Sequence, residues 1–251
     1  MKNLVLLFFT AMAPLSALSA QKFENFSHKS EAAIVSAGGN SRMETYNGKM
    51  ENRYDLGKRI YVVSGHYTLG LSDQGAEGGD MVESARNWDA KFKYEQELSK
   101  KINAFAALQF EGDEFSGYEQ RENHDIGAKR IFLDNDKKRF YLEAGYRYTE
   151  EVRVEADDNG QDTFYFHKGT LTLEYARKPG RNFTYSFWIQ YVPNFTEPKD
   201  YLINFEPSFS LMINEIFSMK LGYKANYDNQ PNIEGNKYLD YQYTTSLVAE
   251  F

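Results

Sequence analysis

The sequence contains no cysteine, and its one long apolar run is at the amino terminus. The absence of cysteine excludes a disulfide framework, a thiolate metal site and a lipid attached to a cysteine. A mean hydropathy of -0.64, with no second apolar stretch, excludes a helical membrane protein. Basic residues are in the minority, since 29 Lys and Arg stand against 36 Asp and Glu. This acidic balance argues against nucleic acid as a partner.

The apolar run within residues 1–20 has the features of a secretory signal peptide. Lys2 gives it a basic start, and small residues follow the apolar stretch. The stretch is shorter than the roughly 20 residues that a membrane-spanning helix needs. We therefore predict export and cleavage after Ser19 or Ala20. Residues 21–29 are then predicted to form a short periplasmic tail.

Aromatic residues make up 16% of the chain, which is a high share for an acidic sequence. They recur at alternate positions, as in residues 86–98, where Trp88, Phe92 and Tyr94 share one face. Successive side chains of a strand point to opposite faces, so this alternation predicts strands with one apolar face. Twelve segments show the pattern: 30–38, 42–56, 59–71, 86–98, 101–111, 118–132, 139–150, 171–175, 183–191, 201–213, 219–227 and the terminal strand from Tyr238.

These segments predict an all-β fold, a transmembrane antiparallel up-and-down β-barrel of 12 strands over residues 30–251. A closed barrel carries its apolar side chains at alternate positions, where hydropathy averages miss them. Pro207 lacks a backbone N–H, so we predict a bulge or bend there. A soluble up-and-down barrel or a β-sandwich would give a similar alternation, with the apolar faces turned inward. The signal peptide and the aromatic strand ends favour the membrane barrel.

The connections between the segments alternate in length and charge. The short ones are mostly basic, such as 99–101 and 177–181, whereas the long ones are acidic or rich in glycine, such as 73–83 and 151–162. Outer-membrane barrels have short periplasmic turns and longer outer loops. The alternation therefore predicts that both termini lie in the periplasm. The first outer connection, residues 38–40, is a short exception.

The last strand has one apolar face and ends on an aromatic residue. Tyr243, Leu247, Ala249 and Phe251 form this face, which is similar to the C-terminal insertion signal of bacterial outer-membrane barrels. We therefore predict a location in the outer membrane of a Gram-negative cell. There the barrel would contact lipid and lipopolysaccharide, after insertion by the barrel assembly machinery.

The faces opposite the apolar ones are rich in charge and would line the lumen of a barrel. The candidate lumen-lining residues are Lys49, Glu51, Arg53, Asp89, Lys91, Lys93, Glu95, Lys129, Glu143, Arg147, Lys168, Glu174, Lys220, Lys224 and Asp240. Unpaired charges in a confined space are costly, so we expect networks of ion pairs. Twelve strands with long side chains inside leave at most a narrow path. Two roles stay open, a narrow porin-like channel of weak ion selectivity and a plugged structural envelope barrel.

Other classes of function have weaker support. The acidic outer loops would suit a surface adhesin or a partner-docking barrel. A barrel lipase or protease needs a catalytic histidine, but His66 and His167 have no serine and carboxylate partners at a readable spacing. Residues 157–162 are similar to a calcium loop but lack its twelve-residue spacing and its closing glutamate. We therefore predict no enzymatic activity, no cofactor and no specific metal site.

Several motifs resemble those of the YdiY-like family of salt-induced outer-membrane proteins, a domain family of unknown function. They are Gly39-Asn40-Ser41, Phe115-Ser116-Gly117-Tyr118-Glu119-Gln120-Arg121 leading to Gly127, Leu142-Glu143-Ala144-Gly145-Tyr146-Arg147-Tyr148, and Asn214-Glu215-Ile216-Phe217-Ser218-Met219-Lys220-Leu221-Gly222-Tyr223 running into Asn229-Gln230-Pro231 and the Asp240 strand. Together they span nearly the whole mature chain. The first reads Gly-Asn-Ser where the family has a Gly-Asn-Thr-like turn. The resemblance implies an outer-membrane barrel in a Gram-negative envelope and supplies no catalytic residues.

Overall fold

The structure, a computed structural model, describes residues 25–38, 42–73, 79–233 and 235–251. Within these ranges the chain forms twelve β-strands and one short 3-10 helix, Glu114–Ser116. The strands are β1 (Phe26–Ala37), β2 (Met43–Asp55), β3 (Arg59–Ser72), β4 (Val82–Ser99), β5 (Ile102–Asp113), β6 (Tyr118–Asn135), β7 (Lys138–Arg153), β8 (Thr163–Arg177), β9 (Phe183–Pro193), β10 (Tyr201–Met212), β11 (Phe217–Asp228) and β12 (Leu239–Glu250). No helix among the described residues is long and apolar enough to cross a membrane.

All twelve strands belong to one closed barrel, and each pairs antiparallel with its neighbours in sequence. The ring closes where β1 pairs with β12, for example at Ala32 opposite Leu247. The predicted up-and-down barrel of twelve strands is therefore confirmed. The predicted signal peptide, residues 1–20, lies outside the described residues, as do residues 39–41 of the first motif.

The first strand begins earlier than the sequence predicts. β1 starts at Phe26, so the assignment of residues 21–29 to a tail is wrong for 26–29, which belong to the barrel. These residues pair with β2, and His28 exchanges two backbone hydrogen bonds with Phe251, at 2.7 and 3.0 Å. The side chains of residues 26–29 lack the alternation of apolar and polar groups that predicts a strand. Backbone pairing with β2 and β12 nevertheless makes these residues part of the barrel.

Pro207 interrupts one ladder of β10 without shifting its register. The pairing with β11 stops after Phe205 and resumes at Ser208 in the same register. On its other side, Pro207 stays opposite Phe187 of β9. The predicted bulge is therefore an interruption of one ladder, because proline lacks a hydrogen-bond donor.

Asx side chains organise three of the short turns, which lie at the same end of the barrel as the described termini. Asp55 Oδ1 accepts a hydrogen bond from the backbone N–H of Gly57 at 2.9 Å, and Gly57 has a φ of 76°. Asn135 and Asn214 each accept two backbone N–H bonds, from the residues two and three positions ahead. These local bonds reverse the chain in a few residues, so neighbouring strands pair from their first positions.

The two faces of the strands differ in exposure. Large apolar side chains on the outer face are accessible, such as Phe92 at 44% and Leu247 at 51%. The inner face buries polar and charged side chains, including Glu95, Arg147 and Thr149. The interior of this barrel is therefore rich in charge, with a few buried apolar side chains such as Phe105 and Phe166, and most of the large apolar side chains face outward.

Candidate functional site: the polar interior

Four charged side chains from β1, β2, β10 and β11 form the first ionic cluster. Glu206 accepts hydrogen bonds from Lys220 at 2.9 Å and from Lys49 at 3.2 Å. Glu31 accepts from Lys220 at 3.0 Å and from Ser246 at 2.7 Å. Lys49 and Glu206 belong to strands that are not neighbours in the sheet, so their contact runs through the inside of the barrel.

A second ionic cluster joins β4, β6 and β7. Lys93 Nζ lies 2.5 Å from Glu143 and 3.0 Å from Glu95, and Lys129 Nζ lies 3.1 Å from Glu95. Asn103 also donates to Glu95 at 3.1 Å, so this deeply buried carboxylate has three partners. The two clusters lie on opposite sides of the ring of strands, and no ion pair among the described residues connects them.

Further ion pairs lie toward the end of the barrel that carries the long connections. Arg147 donates two hydrogen bonds to Asp125, at 2.7 and 2.8 Å. Glu151 binds Arg121 at 2.6 Å and Arg153 at 2.9 Å. The planar guanidinium suits such two-pronged contacts, so these arginines fix the carboxylates in place.

The described part of the β11–β12 loop, residues 229–233 and 235–238, reaches across the barrel at the same end. Asn232 donates a hydrogen bond to Glu151 of β7 at 3.0 Å, and Asn236 donates to the carbonyl oxygen of Phe115 at 3.2 Å. β11 and β12 stand opposite β5, β6 and β7 in the ring of strands. The described part of this loop therefore spans the mouth of the barrel.

Three interior lysines differ from the clustered ones. Lys91, Lys168 and Lys224 are buried or half-buried, and no carboxylate of the described residues lies within 4.0 Å of their ammonium groups. Lys168 instead lies over the ring of Phe166, 4.7 Å from its centroid. An ammonium without a carboxylate partner inside a protein has lost water without a full replacement.

The remaining predicted lumen residues lie away from these clusters. Arg53 and Glu174 form ion pairs with residues beside the short turns. Glu51 and Asp240 are exposed, and neither has an ion pair among the described residues. These four positions share the inward register of the clusters, but they occupy the more open parts of the strands.

Several charged residues of the interior are missing from the sequence prediction. Glu31 and Glu206 lie in the segments 30–38 and 201–213, two of the four segments in which the alternation is weak, and these became parts of β1 and β10. Arg121 and Asp125 lie on β6 at the same alternate positions as Lys129, which was predicted. Extending the alternation from Lys129 along β6 would therefore have identified Arg121 and Asp125. In β1 and β10 the alternation is too weak to indicate which positions face inward.

The hydrogen-bond partners of His66 and His167 differ from those of the histidine in a catalytic triad. His66 Nδ1 contacts Asp89, directly opposite on β4, and its Nε2 lies 2.8 Å from Asn87 Oδ1. Both ring nitrogens are thus engaged, and no serine or threonine hydroxyl of the described residues is bonded to the ring. His167 bonds the hydroxyl of Tyr146. A triad needs a base nitrogen facing a nucleophile, and this geometry does not provide one.

The loop that is similar to a calcium site is held by its own hydrogen bonds. Asp157 Oδ1 accepts from the backbone N–H groups of Asn159 and Gln161, both at 2.9 Å. These bonds, above all the one from Gln161, hold the pKa of the Asp157 carboxyl below its usual value. No group of three or more acidic or histidine side chains in the described ranges is arranged to hold a metal ion.

The predicted insertion signal lies on the outer face of β12. Tyr243 is 73% exposed, and Leu247 and Phe251 are also exposed. Ala249, on the same face, stands opposite Ser30 of β1. The ring of Phe251 packs 4.9 Å from the ring of His28, so the last residue covers the seam between β1 and β12.

These observations define a closed twelve-stranded barrel with an interior of largely paired charges and an exposed apolar exterior. The chain belongs to the family described as "Protein of unknown function, DUF481", whose model matches residues 30–251. The YdiY-like family is a family of this kind, so the resemblance found in the sequence is confirmed. No curated protein matches the sequence.

Solved structures with a similar fold include porins and a translocator. The NanC porin has 8% sequence identity and a TM-score of 0.49, over 90% of this chain and 97% of its own. The KdgM porin has 9% identity and a TM-score of 0.42, over 89% and 96%. The translocator domain of the autotransporter NalP from Neisseria meningitidis has 8% identity and a TM-score of 0.45, over 99% and 95%.

Proposed function

We propose that this protein is an outer-membrane barrel whose narrow, polar lumen passes small solutes. The observation that carries the membrane location is a band of exposed apolar side chains on the outer face of the strands. The proposal places the short turns and both termini in the periplasm and the long connections outside the cell.

The outer surface supports a location in a membrane because each strand contributes exposed apolar side chains to it. Examples from around the ring are Val63 on β3, Ile126 on β6, Leu171 on β8, Phe209 on β10 and Leu221 on β11. Soluble monomers rarely expose contiguous apolar surface of this extent. A lipid-facing apolar band is the defining surface of a transmembrane barrel.

Aromatic contacts on the outer face of the strands lie in two groups, as expected for the two membrane interfaces. Near the short turns, Phe132 and Phe140 stack at 4.9 Å and Tyr61 lies 5.3 Å from Tyr94. Near the long connections, Tyr148 stacks on Tyr165 at 6.3 Å, and further tyrosines continue the row. Amphipathic rings favour the interface between lipid and water, so the two rows mark its edges.

The interior supports a channel because it is polar and its two main ionic clusters stay separate, although Lys49 of β2 reaches through the lumen to Glu206 of β10. The first and second ionic clusters use strands on opposite sides, and no described ion pair ties one to the other. The β11–β12 loop narrows one mouth, so we propose a channel of low conductance with a mouth that the loop partly closes.

This location implies particular partners. The outer band would contact lipid, the long connections would meet lipopolysaccharide, and the β12 face with Phe251 would engage the barrel assembly machinery. We propose no enzymatic role and no cofactor.

The channel is tested by recording currents from the protein purified from membranes and inserted in planar bilayers. We expect small, discrete conductance steps from protein whose barrel is shown to be folded by heat-modifiable migration on gels. A folded and inserted barrel that carries no current would overturn the channel and leave a structural barrel.

The orientation is tested separately, and the absence of native cysteine makes the test clean. Asp158→Cys in the loop after β7 should react with a membrane-impermeant maleimide in intact cells, whereas Lys100→Cys in the β4–β5 turn should react only after lysis. The reverse pattern would overturn the proposed orientation, and equal labelling in intact cells would overturn the membrane barrier itself.

A further inference from the structure

The outer face of β6, β7, β8 and β9 carries a continuous row of aromatic rings near the short turns. Phe132 stacks on Phe140, with 4.9 Å between the ring centroids. The ring of Tyr175 lies 6.2 Å from that of Phe140 and 6.0 Å from that of Tyr185. Because each ring contacts the next, the row crosses four neighbouring strands without a gap. In the proposed membrane location, the row lies at the level of the lipid headgroups.

Three cationic side chains accompany this row. Lys138 and Arg177 stand directly opposite each other on β7 and β8, so their side chains leave the same face of the sheet side by side. Arg177 donates a hydrogen bond to the hydroxyl of Tyr185 at 3.5 Å. The guanidinium carbon of Arg130 lies 5.5 Å from the centroid of the Phe132 ring. The four rings and these three cations therefore form one contiguous surface, the basic-aromatic patch.

The cations of the basic-aromatic patch are exposed and lack acidic partners. Arg130, Lys138 and Arg177 are all accessible, and no carboxylate of the described residues lies within 4.0 Å of any of them. In the short-turn halves of β6 to β9, all of which the structure describes, no Asp or Glu shares the outward register. The protein itself therefore leaves this positive charge without a counterion.

The other end of the same strands has outward charges of the opposite sign. Glu122 of β6 and Glu150 of β7 stand directly opposite each other. They share the outward register of Ile126 and Tyr146, which are 61% and 40% exposed. The cations are thus confined to the short-turn end, where they lie beside aromatic rings. Cations at one membrane interface are complementary to anionic headgroups in the leaflet at that interface.

We propose that the basic-aromatic patch binds the phosphate headgroup of an anionic phospholipid, in the leaflet that surrounds the short turns. Guanidinium and ammonium groups donate charge-assisted hydrogen bonds to phosphate oxygens. The rings offer apolar surface to the glycerol and the first methylenes of the acyl chains. A lipid fits the patch better than a soluble anion does, because the patch continues directly into the apolar outer band. This inference rests on the proposed membrane location and adds a chemically specific partner at one interface.

Native mass spectrometry of the folded barrel in detergent, titrated with phosphatidylglycerol, measures this binding. The unaltered protein should retain phosphatidylglycerol in preference to phosphatidylcholine, whose headgroup has no net charge. Arg130→Gln, Lys138→Gln and Arg177→Gln should each weaken the binding about fivefold, because each removes one cation from the headgroup. The triple variant should weaken it by about a hundredfold.

The matched control is a triple variant with Lys58→Gln, Lys100→Gln and Arg181→Gln, which removes the same charge from exposed turns at the same end of the barrel. It should bind phosphatidylglycerol as the unaltered protein does. Heat-modifiable migration verifies that every variant is folded. Equal losses in the two triple variants would show a general effect of charge and would overturn the site. Equal retention of the two lipids by the unaltered protein would also overturn it.

Soluble glycerol phosphate distinguishes a lipid from a free phosphate as the ligand. It should fail to displace phosphatidylglycerol even in large excess, and displacement would overturn the lipid as the partner.

Vesicles and planar bilayers separate this site from the proposed function. A barrel that inserts in vesicles but shows no lipid preference would overturn the site alone. A barrel that stays monomeric in water and does not insert would overturn the membrane location and the site together. Lipid preference in a barrel that carries no current would support the site and overturn the channel.

Discussion

At the scale of single residues, the two ionic clusters are stabilised because each of their carboxylates is paired with an ammonium group. Removing a carboxylate from water costs several kcal/mol, and a shared hydrogen-bonded ammonium offsets this cost. Glu206 illustrates the point, because two lysines from different strands share it. Such sharing makes the clusters sensitive to the loss of one central group.

Glu206→Gln should destabilise the barrel by about 3 kcal/mol, because it leaves Lys49 without an acid and Lys220 with only Glu31. Denaturant unfolding in detergent or lipid measures the change. Glu114→Gln is the control, since it removes an exposed ion pair with Arg86 and should cost less than about 1 kcal/mol. Equal losses in the two variants would contradict the role of the first ionic cluster.

The turn at Asp157 should depend on acidic pH. The folded carboxyl has a lowered pKa, so its stabilising hydrogen bonds are fully present above the usual value of about 3.9 and are lost as pH falls through the lower value. The amide chemical shifts of Asn159 and Gln161 should therefore titrate together with a midpoint below about 3.9. A midpoint at or above this value would show that the bonds do not persist in solution.

At the scale of elements, the sequence predicts strands far better than it predicts their contacts. An alternation of period two is local, so the order and number of the strands could be predicted without any knowledge of partners. The pairing of Lys49 with Glu206 depends on barrel closure between residues 157 positions apart, which no local pattern contains. The alternation in β1 and β10 is weak, yet both form strands because β2 and β12 pair with β1 and β9 and β11 pair with β10.

The seam between β1 and β12 should depend on the last residue. Phe251→Ala removes the ring that packs beside His28 and should lower the fraction of folded barrel recovered in vesicles or in outer membranes. Leu239→Ala at the other end of β12 is the matched control, because Leu239 and Phe251 are 46% and 45% exposed. If both variants fold equally well on heat-modifiable gels, the terminal ring has no special part in closure.

The β11–β12 loop should limit the current through the barrel. Asn232→Ala with Asn236→Ala removes the hydrogen bonds to Glu151 and to the Phe115 carbonyl. Planar-bilayer recordings should show a larger or more persistent open conductance. Asn159→Ala, in a loop that does not cross the mouth, should leave the current unchanged. A double variant with the original conductance would show that the loop does not narrow the path.

At the scale of the whole molecule, the barrel inverts the usual arrangement of a soluble protein. Its ionic side chains are enclosed, and its apolar side chains form the outer surface of every strand. In water this surface would favour aggregation, whereas hydrocarbon accepts it at no cost. The interior networks and the outer band are thus two consequences of one alternation along the strands.

The most direct test of this arrangement is the cost of an arginine at different depths of the outer face. Leu171, 45% exposed, lies near the middle of β8, and Leu98, 66% exposed, lies at the end of β4. In lipid vesicles, Leu171→Arg should reduce the free energy of unfolding by about 2–4 kcal/mol and Leu98→Arg by at most about 1 kcal/mol. Equal and small costs at both positions would mean that the outer face meets water, and would contradict the membrane barrel.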